Sequence, residues 1–187
     1  MMSGIPTLET KRLVLRPFGP GDAAEVQRLV GDRAIADTTL NIPHPYLSGM
    51  AEEWISKHPG AFTEGKGVFF AIARKADGAL LGAISLTNMI AGHQAELGYW
   101  IGRPFWNQRI CTEAGQAVLR YAFTELGLVR VHARHLKRNP ASGRVMQKLG
   151  MRHEGLRRQH VRKWDRLEDE ELYGILKEQW MEESREQ

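Results

Sequence analysis

Apolar and polar positions alternate along residues 12–18, a run that ends at Pro17 and has the period of a half-buried strand. Asp22 and Glu25 stand at capping-box spacing and predict a helix running to about Val30. Residues 31–47 hold Pro43 and Pro45 and show no sustained period, so they read as a loop of the kind that lines substrate pockets. Ser48 is placed to cap a short helix carrying Trp54 and Ile55. Residues 68–73 and 80–86 flank Ala76, Asp77 and Gly78, which predicts a hairpin. Residues 95–101 form the next strand. From Thr112 the apolar positions Ala114, Ala117, Val118, Tyr121, Ala122 and Leu126 recur at helical spacing until Gly127 stops them. A strand at 129–134, a helix from Asn139 to Gly150 and two strands around Asp165 complete the chain. Strands and helices in this order predict a mixed α+β fold with a central sheet.

The junction at residues 95–114, AELGYWIGRPFWNQRICTEA, is the most informative stretch, because a strand runs through a short turn directly into a helix. The free N–H groups of a first helical turn and the positive end of the helix dipole attract an anion without a charged side chain. A phosphorylated ligand is therefore expected at residues 107–113.

The 187 residues, 42% hydrophobic, suffice for one domain with its own core. We expect the core to span about residues 10–177, followed by a charged tail over 178–187. The N-terminus shows no basic segment followed by an apolar run, and no stretch approaches the roughly 20 apolar residues of a membrane span, so a cytoplasmic protein is expected. The single cysteine, Cys111, permits no internal disulfide and no cysteine-built zinc site. His132 and His135 are three apart on a predicted strand and fall on opposite faces, so no metal site is expected. The net charge of +4 is unevenly spread. Residues 130–166 carry twelve Lys or Arg against Glu154 and Asp165, a local charge of +10 that leaves the remainder at −6. An anionic partner is expected near this segment. The run from Arg152 to Arg166 with Trp164 could contact nucleic acid, but no nucleic-acid-binding motif accompanies it and a solvated hairpin is the preferred reading.

Several separated blocks resemble the GNAT superfamily of acetyl-CoA-dependent N-acetyltransferases, and within it the branch that acetylates ribosomal-protein N-termini. TKRLVLRP at 10–17 is similar to that branch's opening strand, and AELGYWIGRPFW followed by TEA is similar to its fourth strand and cofactor helix. Asn139, Ser142, Val145, Lys148 and Gly150 match its second signature, Glu154 and Gly155 follow it, and Tyr173 stands where the last strand usually carries a tyrosine. The resemblance implies a mostly antiparallel, twisted sheet of about seven strands flanked by about four helices. It implies acetyl-CoA as co-substrate, held by Trp100, Ile101, Gly102, Asn107, Gln108, Arg109, Ile110, Cys111, Thr112 and Asn139. It implies a primary-amine acceptor, a protein N-terminus or a small molecule, with no membrane partner, and it leaves a homodimer open. The family's cofactor turn reads Gln or Arg, two free positions, Gly, one free position, then Gly or Ala. Here Arg109 and Cys111 occupy the two small-residue positions, so Arg109 either reaches a phosphate with its own charge or crowds the site.

Acetyl transfer to an amine requires a neutral nitrogen, a polarised carbonyl and a proton for the departing thiolate. Glu96, on the strand leading to the turn, is the candidate base, acting through a water; otherwise it is a solvated strand carboxylate. Ser142 resembles the serine placed near the thioester sulfur and is the candidate proton donor, although a first-turn serine also bonds local backbone. Asn139 resembles the residue that grips the pantetheine arm and is equally a helix cap before Pro140. Where other superfamily members carry a tyrosine acid this chain has Met146, leaving Tyr99 and Tyr173 as substitutes, each better read as core or rim. Cys111 reads as a small buried filler rather than a nucleophile.

Overall fold

The structure, a computed structural model, describes residues 4–185. Eight strands form one sheet: β1 (Leu8–Glu9), β2 (Leu13–Arg16), β3 (Val68–Arg74), β4 (Leu80–Ile90), β5 (Gln94–Ile101), β6 (Arg130–Leu136), β7 (Arg152–Lys163) and β8 (Arg166–Leu176). Their spatial order is β1-β2-β3-β4-β5-β6-β8-β7, and every pairing is antiparallel except β5 with β6. That parallel step requires a crossover, supplied by the helix α5 defined below.

Strand alternation sorts the side chains into two cores. On one face Phe70 and Ile72 of β3, Ile84 and Leu86 of β4 and Leu97 of β5 pack with Ala114, Val118 and Phe123. Those three belong to α5 (Ile110–Thr124), which packs beside α6 (Pro140–Lys148). On the other face the small residues Ala71 and Ala83, with Trp100, receive α1 (Ala23–Val30), α2 (Arg33–Thr38) and α3 (Met50–Ser56). Two short additions complete the helices, α4 (His58–Thr63) and α7 (Lys177–Arg185).

The elements depart from the sequence expectation at identifiable places. The sheet has eight strands, because two-residue β1 adds an edge beside β2 that no periodicity can announce. The stretch read as a loop at 31–47 contains α2, started by Asp32, whose carboxylate accepts from the Ala34 N–H at 2.9 Å. Six residues are under two turns, too few for a period to register. Helix α5 begins at Ile110 instead of Thr112, and α4 was not expected. The tail is helical through Arg185; residues 186–187 of the expected 178–187 segment, and the first three residues, lie outside the described part.

The expected charge imbalance is compensated in part by local pairs. Four acidic residues just beyond the basic segment, Glu168, Asp169, Glu170 and Glu171 on β8, meet its cations across the sheet. Arg138 pairs with Glu168 at 2.8 Å, Arg134 with Glu170 at 2.9 Å and Lys137 with Asp169 at 3.7 Å, and β6 and β7 flank β8 on either side. Among the described residues no helix is long and apolar enough to cross a membrane.

Candidate active site

The parallel pairing of β5 and β6 lasts only from Gln94 opposite Arg130 to Glu96 opposite His132. Beyond it β6 stays with β8 while β5 stays with β4, so the two strands part and residues 97–101 of β5 present an edge with no partner strand. A cleft therefore opens between the strand ends. Two cavities enter it, one on the α5 and α6 side and one on the α1 and α3 side, and both are lined by Tyr99, Trp100 and Ser142.

The first cavity, about 350 Å³, is lined by every residue expected to bind the cofactor except Gly102. Gly102 lies just outside it, packed so closely that a Cβ there would meet Leu29 Cδ2 at 2.7 Å. Asn107 and Arg109 both adopt left-handed backbone, at φ 62° and 59°, with Gln108 between them. Such alternation turns successive N–H groups toward one point, and among the described residues the amides of 107–112 donate to no protein acceptor. Helix α5 has no side-chain cap at Arg109, which leaves its first turn open to an external anion. The turn is fixed from outside: the Arg12 guanidinium donates to the Gln108 carbonyl at 3.0 Å, and the Trp106 indole N–H donates to the Ile101 carbonyl at 2.7 Å. Arg109, Arg144 and Lys148 line the same cavity, no carboxylate does, and none of the three forms an ion pair among the described residues. A chain of phosphates fits this donor set.

Cys111 is buried at the base of the turn, and burial pushes its thiol well above the usual range, so it stays protonated and serves as filler. The Asn139 carbonyl oxygen accepts from the Ser142 N–H at 3.4 Å, and its amide nitrogen donates to the Thr38 carbonyl at 3.1 Å. Asn139 thus caps α6 and ties it to the end of α2 while facing the cavity.

At the cleft's mouth the Tyr99 hydroxyl lies 2.8 Å from Ser142 Oγ and donates to the Ser142 carbonyl at 3.1 Å. Burial, with a smaller contribution from Cys111, raises the Tyr99 hydroxyl well above its ordinary value, and the Ser142 bond opposes this only in part. Tyr99 is therefore neutral and keeps its proton. Tyr99, read from the sequence as core or rim, is thus at the junction. Tyr173 is not: it lies buried between His135 and His153 and lines neither cavity. Met146, at the family's tyrosine position, is buried against the second cavity.

Glu96 faces the second cavity, with both carboxylate oxygens engaged: Arg134 Nε donates to one at 2.7 Å and Asn88 Nδ2 to the other at 2.9 Å. Arg134 also reaches Glu170, which is fully buried, so one guanidinium serves two carboxylates. Lys163, 5% exposed, extends from the far end of β7 and donates to the carbonyls of Ile42 (2.7 Å) and Leu40 (3.4 Å), fixing a wall of this cavity. Sequence reasoning singled out neither Arg134 nor Lys163 for the site. Both lie within a basic run, and their partners are 36 to 123 residues away. His132 and His135 point to opposite faces, and no group of three potential metal ligands occurs among the described residues.

Two cavities meet at the Tyr99 and Ser142 hydroxyls, and the free amides and cations of one of them suit an anion, an arrangement that fits a two-substrate group-transfer enzyme. Comparison with known proteins narrows the class, since residues 12–152 match the Acetyltransferase (GNAT) domain family, and the chain belongs to that family. It is an N-acetyltransferase. It is 30% identical over 174 residues to the uncharacterized N-acetyltransferase YnaD of Bacillus subtilis (strain 168), covering 92% of this chain and 98% of that one. It is 36% identical over 105 residues to the putative ribosomal N-acetyltransferase YdaF of the same organism, covering 56% and 57%. The fold superposes with a TM-score of 0.84, at 16% identity and 91% and 98% coverage, on the ribosomal L7/L12 α-N-protein acetyltransferase RimL solved with coenzyme A.

Proposed function

We propose that this enzyme moves acetyl from acetyl-CoA to the N-terminal α-amine of a protein, such as a ribosomal protein, by direct attack within a ternary complex. The observation that carries the reading is the meeting of the two cavities at Tyr99 and Ser142, which seats donor and acceptor against each other without an enzyme nucleophile. The pyrophosphate rests on the amides of residues 107–112, the thioester arm runs along the free edge of β5 past Asn139, and the acceptor enters from the Glu96 side. The amine nitrogen forms its bond to the acyl carbon as the carbon–sulfur bond breaks. Its proton leaves toward Glu96 through a water, and the departing thiolate is protonated by way of the Ser142 hydroxyl, which is then reprotonated from solvent so that both hydroxyls end the cycle neutral. An α-amine has a pKa near 7.7–8.0 against about 10.4 for lysine, so the neutral nucleophile costs roughly 3.5 kcal/mol less. A carboxylate already paired with arginine then suffices as base, and holding the two substrates together supplies much of the remaining acceleration. The kinship with a ribosomal N-acetyltransferase supports the choice of acceptor. Incubation with acetyl-CoA and a panel of peptides, polyamines and aminoglycosides, read as mass increments of one acetyl group, is expected to show the peptides modified at their first amine. Acetylation confined to the polyamines or aminoglycosides would overturn this.

A second reading, a domain that binds acyl-CoA without turnover, takes its support from Arg109 at the glycine position. The two readings part on Arg109→Gly. Because the left-handed backbone is ready-made for glycine and the guanidinium has no other partner, we expect unchanged or raised thermal stability and about fivefold weaker CoA binding, from a lost charge-assisted contact of about 1 kcal/mol. The loss should shrink in high salt. A marked gain of affinity in calorimetry would favour the degenerate reading.

A further inference from the structure

The acceptor-side cavity has a composition that says what kind of amine it takes. Its volume is about 450 Å³, and the charged side chains lining it are Glu53, Lys57, Glu96 and Arg134. These form two pairs, the exposed Lys57 with Glu53 at 2.6 Å and the part-buried Arg134 with Glu96 at 2.7 Å. A second cationic nitrogen on the substrate would therefore find both lining carboxylates already paired and would have to displace a lysine or an arginine. Of the neutral polar groups, the hydroxyls of Thr38, Thr39, Ser85 and Thr87 donate to backbone carbonyls of α2 and β5. Apart from Asn41 and the Tyr46 hydroxyl, most of the remaining lining is apolar and aromatic, with Ile42, the Tyr46 ring, Trp54, Phe69 and Trp100 prominent.

This wall is held in place from behind. Phe69 stacks on His58 with ring centres 4.2 Å apart, while Trp54 meets His58 edge-on at 4.4 Å and Phe18 at 5.0 Å. His58 is 2% exposed, its ring nitrogens have no partner, and burial depresses its pKa to about 4, so it adds no charge to the wall at neutral pH. On the opposite side Lys163 pins the Ile42 carbonyl.

Resting on the reading of the acceptor as a protein N-terminus, we infer that its first residue carries a large apolar or aromatic side chain, which this aromatic wall receives while the α-amine sits at Glu96 and Ser142. An apolar chain gains there from water exclusion and ring contacts, whereas a polycation loses its hydration and meets only carboxylates that are already paired. Small first residues leave the wall wet.

The test uses the full-length enzyme at saturating acetyl-CoA with peptides identical except for a first residue of Phe, Leu, Ser or Gly, and with spermidine alongside. Phe- and Leu-initiated peptides are expected to exceed the Gly peptide in kcat/KM by at least about tenfold, the discrimination a few methylenes provide in an apolar pocket. In Tyr46→Ser, and in Ile42→Asn as a second variant, most of that ratio should disappear through the acceptor KM. CoA affinity, measured by calorimetry as the check on folding, should be unchanged, since neither residue touches the phosphate-side cavity. Equal use of all four peptides, or a ratio that survives both substitutions, would overturn the inference while leaving N-terminal acetylation standing. Acetylation of spermidine alone, or of nothing despite normal CoA binding, would remove the underlying reading and the inference with it.

Discussion

Replacing Arg134 with Met is expected to destabilise the protein by about 3–5 kcal/mol, the usual consequence of removing one partner from a buried ion pair. The guanidinium joins Glu96, whose side chain is 16% exposed, and Glu170, which is not exposed at all. Without it two carboxylates remain, on β5 and β8, on either side of β6. Glu170 would then face only Arg157 and His160, at 3.9 and 4.0 Å, distances too long for hydrogen bonds. Urea unfolding of the single variant against the wild type at pH 7 measures the loss. The double variant Arg134→Met with Glu170→Leu should recover much of the loss, because the fully buried charge is gone and only the partly exposed Glu96, still bonded to Asn88, is left without its cation. A single variant as stable as the wild type at pH 7 would mean the pair is effectively solvated. Activity supplies an independent reading: with Glu96 as the base, losing the guanidinium that orients its carboxylate should lower kcat/KM while CoA affinity in calorimetry stays unchanged, since Arg134 does not line the phosphate-side cavity.

The parts of this molecule that could be read in the sequence are those whose cause is local. The strand expected at 95–101 is β5, and the strand-turn-helix junction is present where the sequence places it, ahead of α5. Two of the blocks that carried the family resemblance turn out to touch. Glu113 of TEA accepts from the Thr10 hydroxyl at 2.6 Å and from the Arg12 backbone and Nε at 2.9 and 2.7 Å, so the opening strand of TKRLVLRP clamps the start of α5. Spacing in the chain could not reveal that contact. The same limit hid Arg134 and Lys163, whose roles exist only because β6 and β7 come to lie beside groups distant in sequence. Helix α2 escaped for a different reason, since it depends on one Asp cap and on burial of Ile35 and Ala36 rather than on a repeating pattern. Arg109 was legible as a departure from the family's turn, but its left-handed backbone was not, because an arginine in that conformation is held there by the surrounding turn and not by its own preference.

Gly82→Ala is expected to cost about 3 kcal/mol or more and to damage the donor site from behind. Gly82 of β4 pairs with Ile101 of β5, and a Cβ built on it would overlap the Trp100 carbonyl oxygen and come within 2.9 Å of Ile101 Cα. Backbone atoms cannot turn aside as a side-chain end can. The two central strands would have to separate, which places the change at or beyond the upper end of ordinary overpacking. The displacement falls on Trp100, which lines both cavities, and on Ile101, whose carbonyl anchors the Trp106 indole beside the phosphate turn. We therefore expect a lower urea midpoint together with a raised KM for acetyl-CoA. Gly60→Ala is the matched control: it lies in α4 with open space around its Cβ position, and alanine there should leave KM unchanged and stabilise the helix by up to about 1 kcal/mol. If Gly82→Ala unfolded at the wild-type midpoint with an unaltered KM, β4 and β5 would have to be able to part at this point without strain. The close packing behind the donor site would then not be what holds its turn in place.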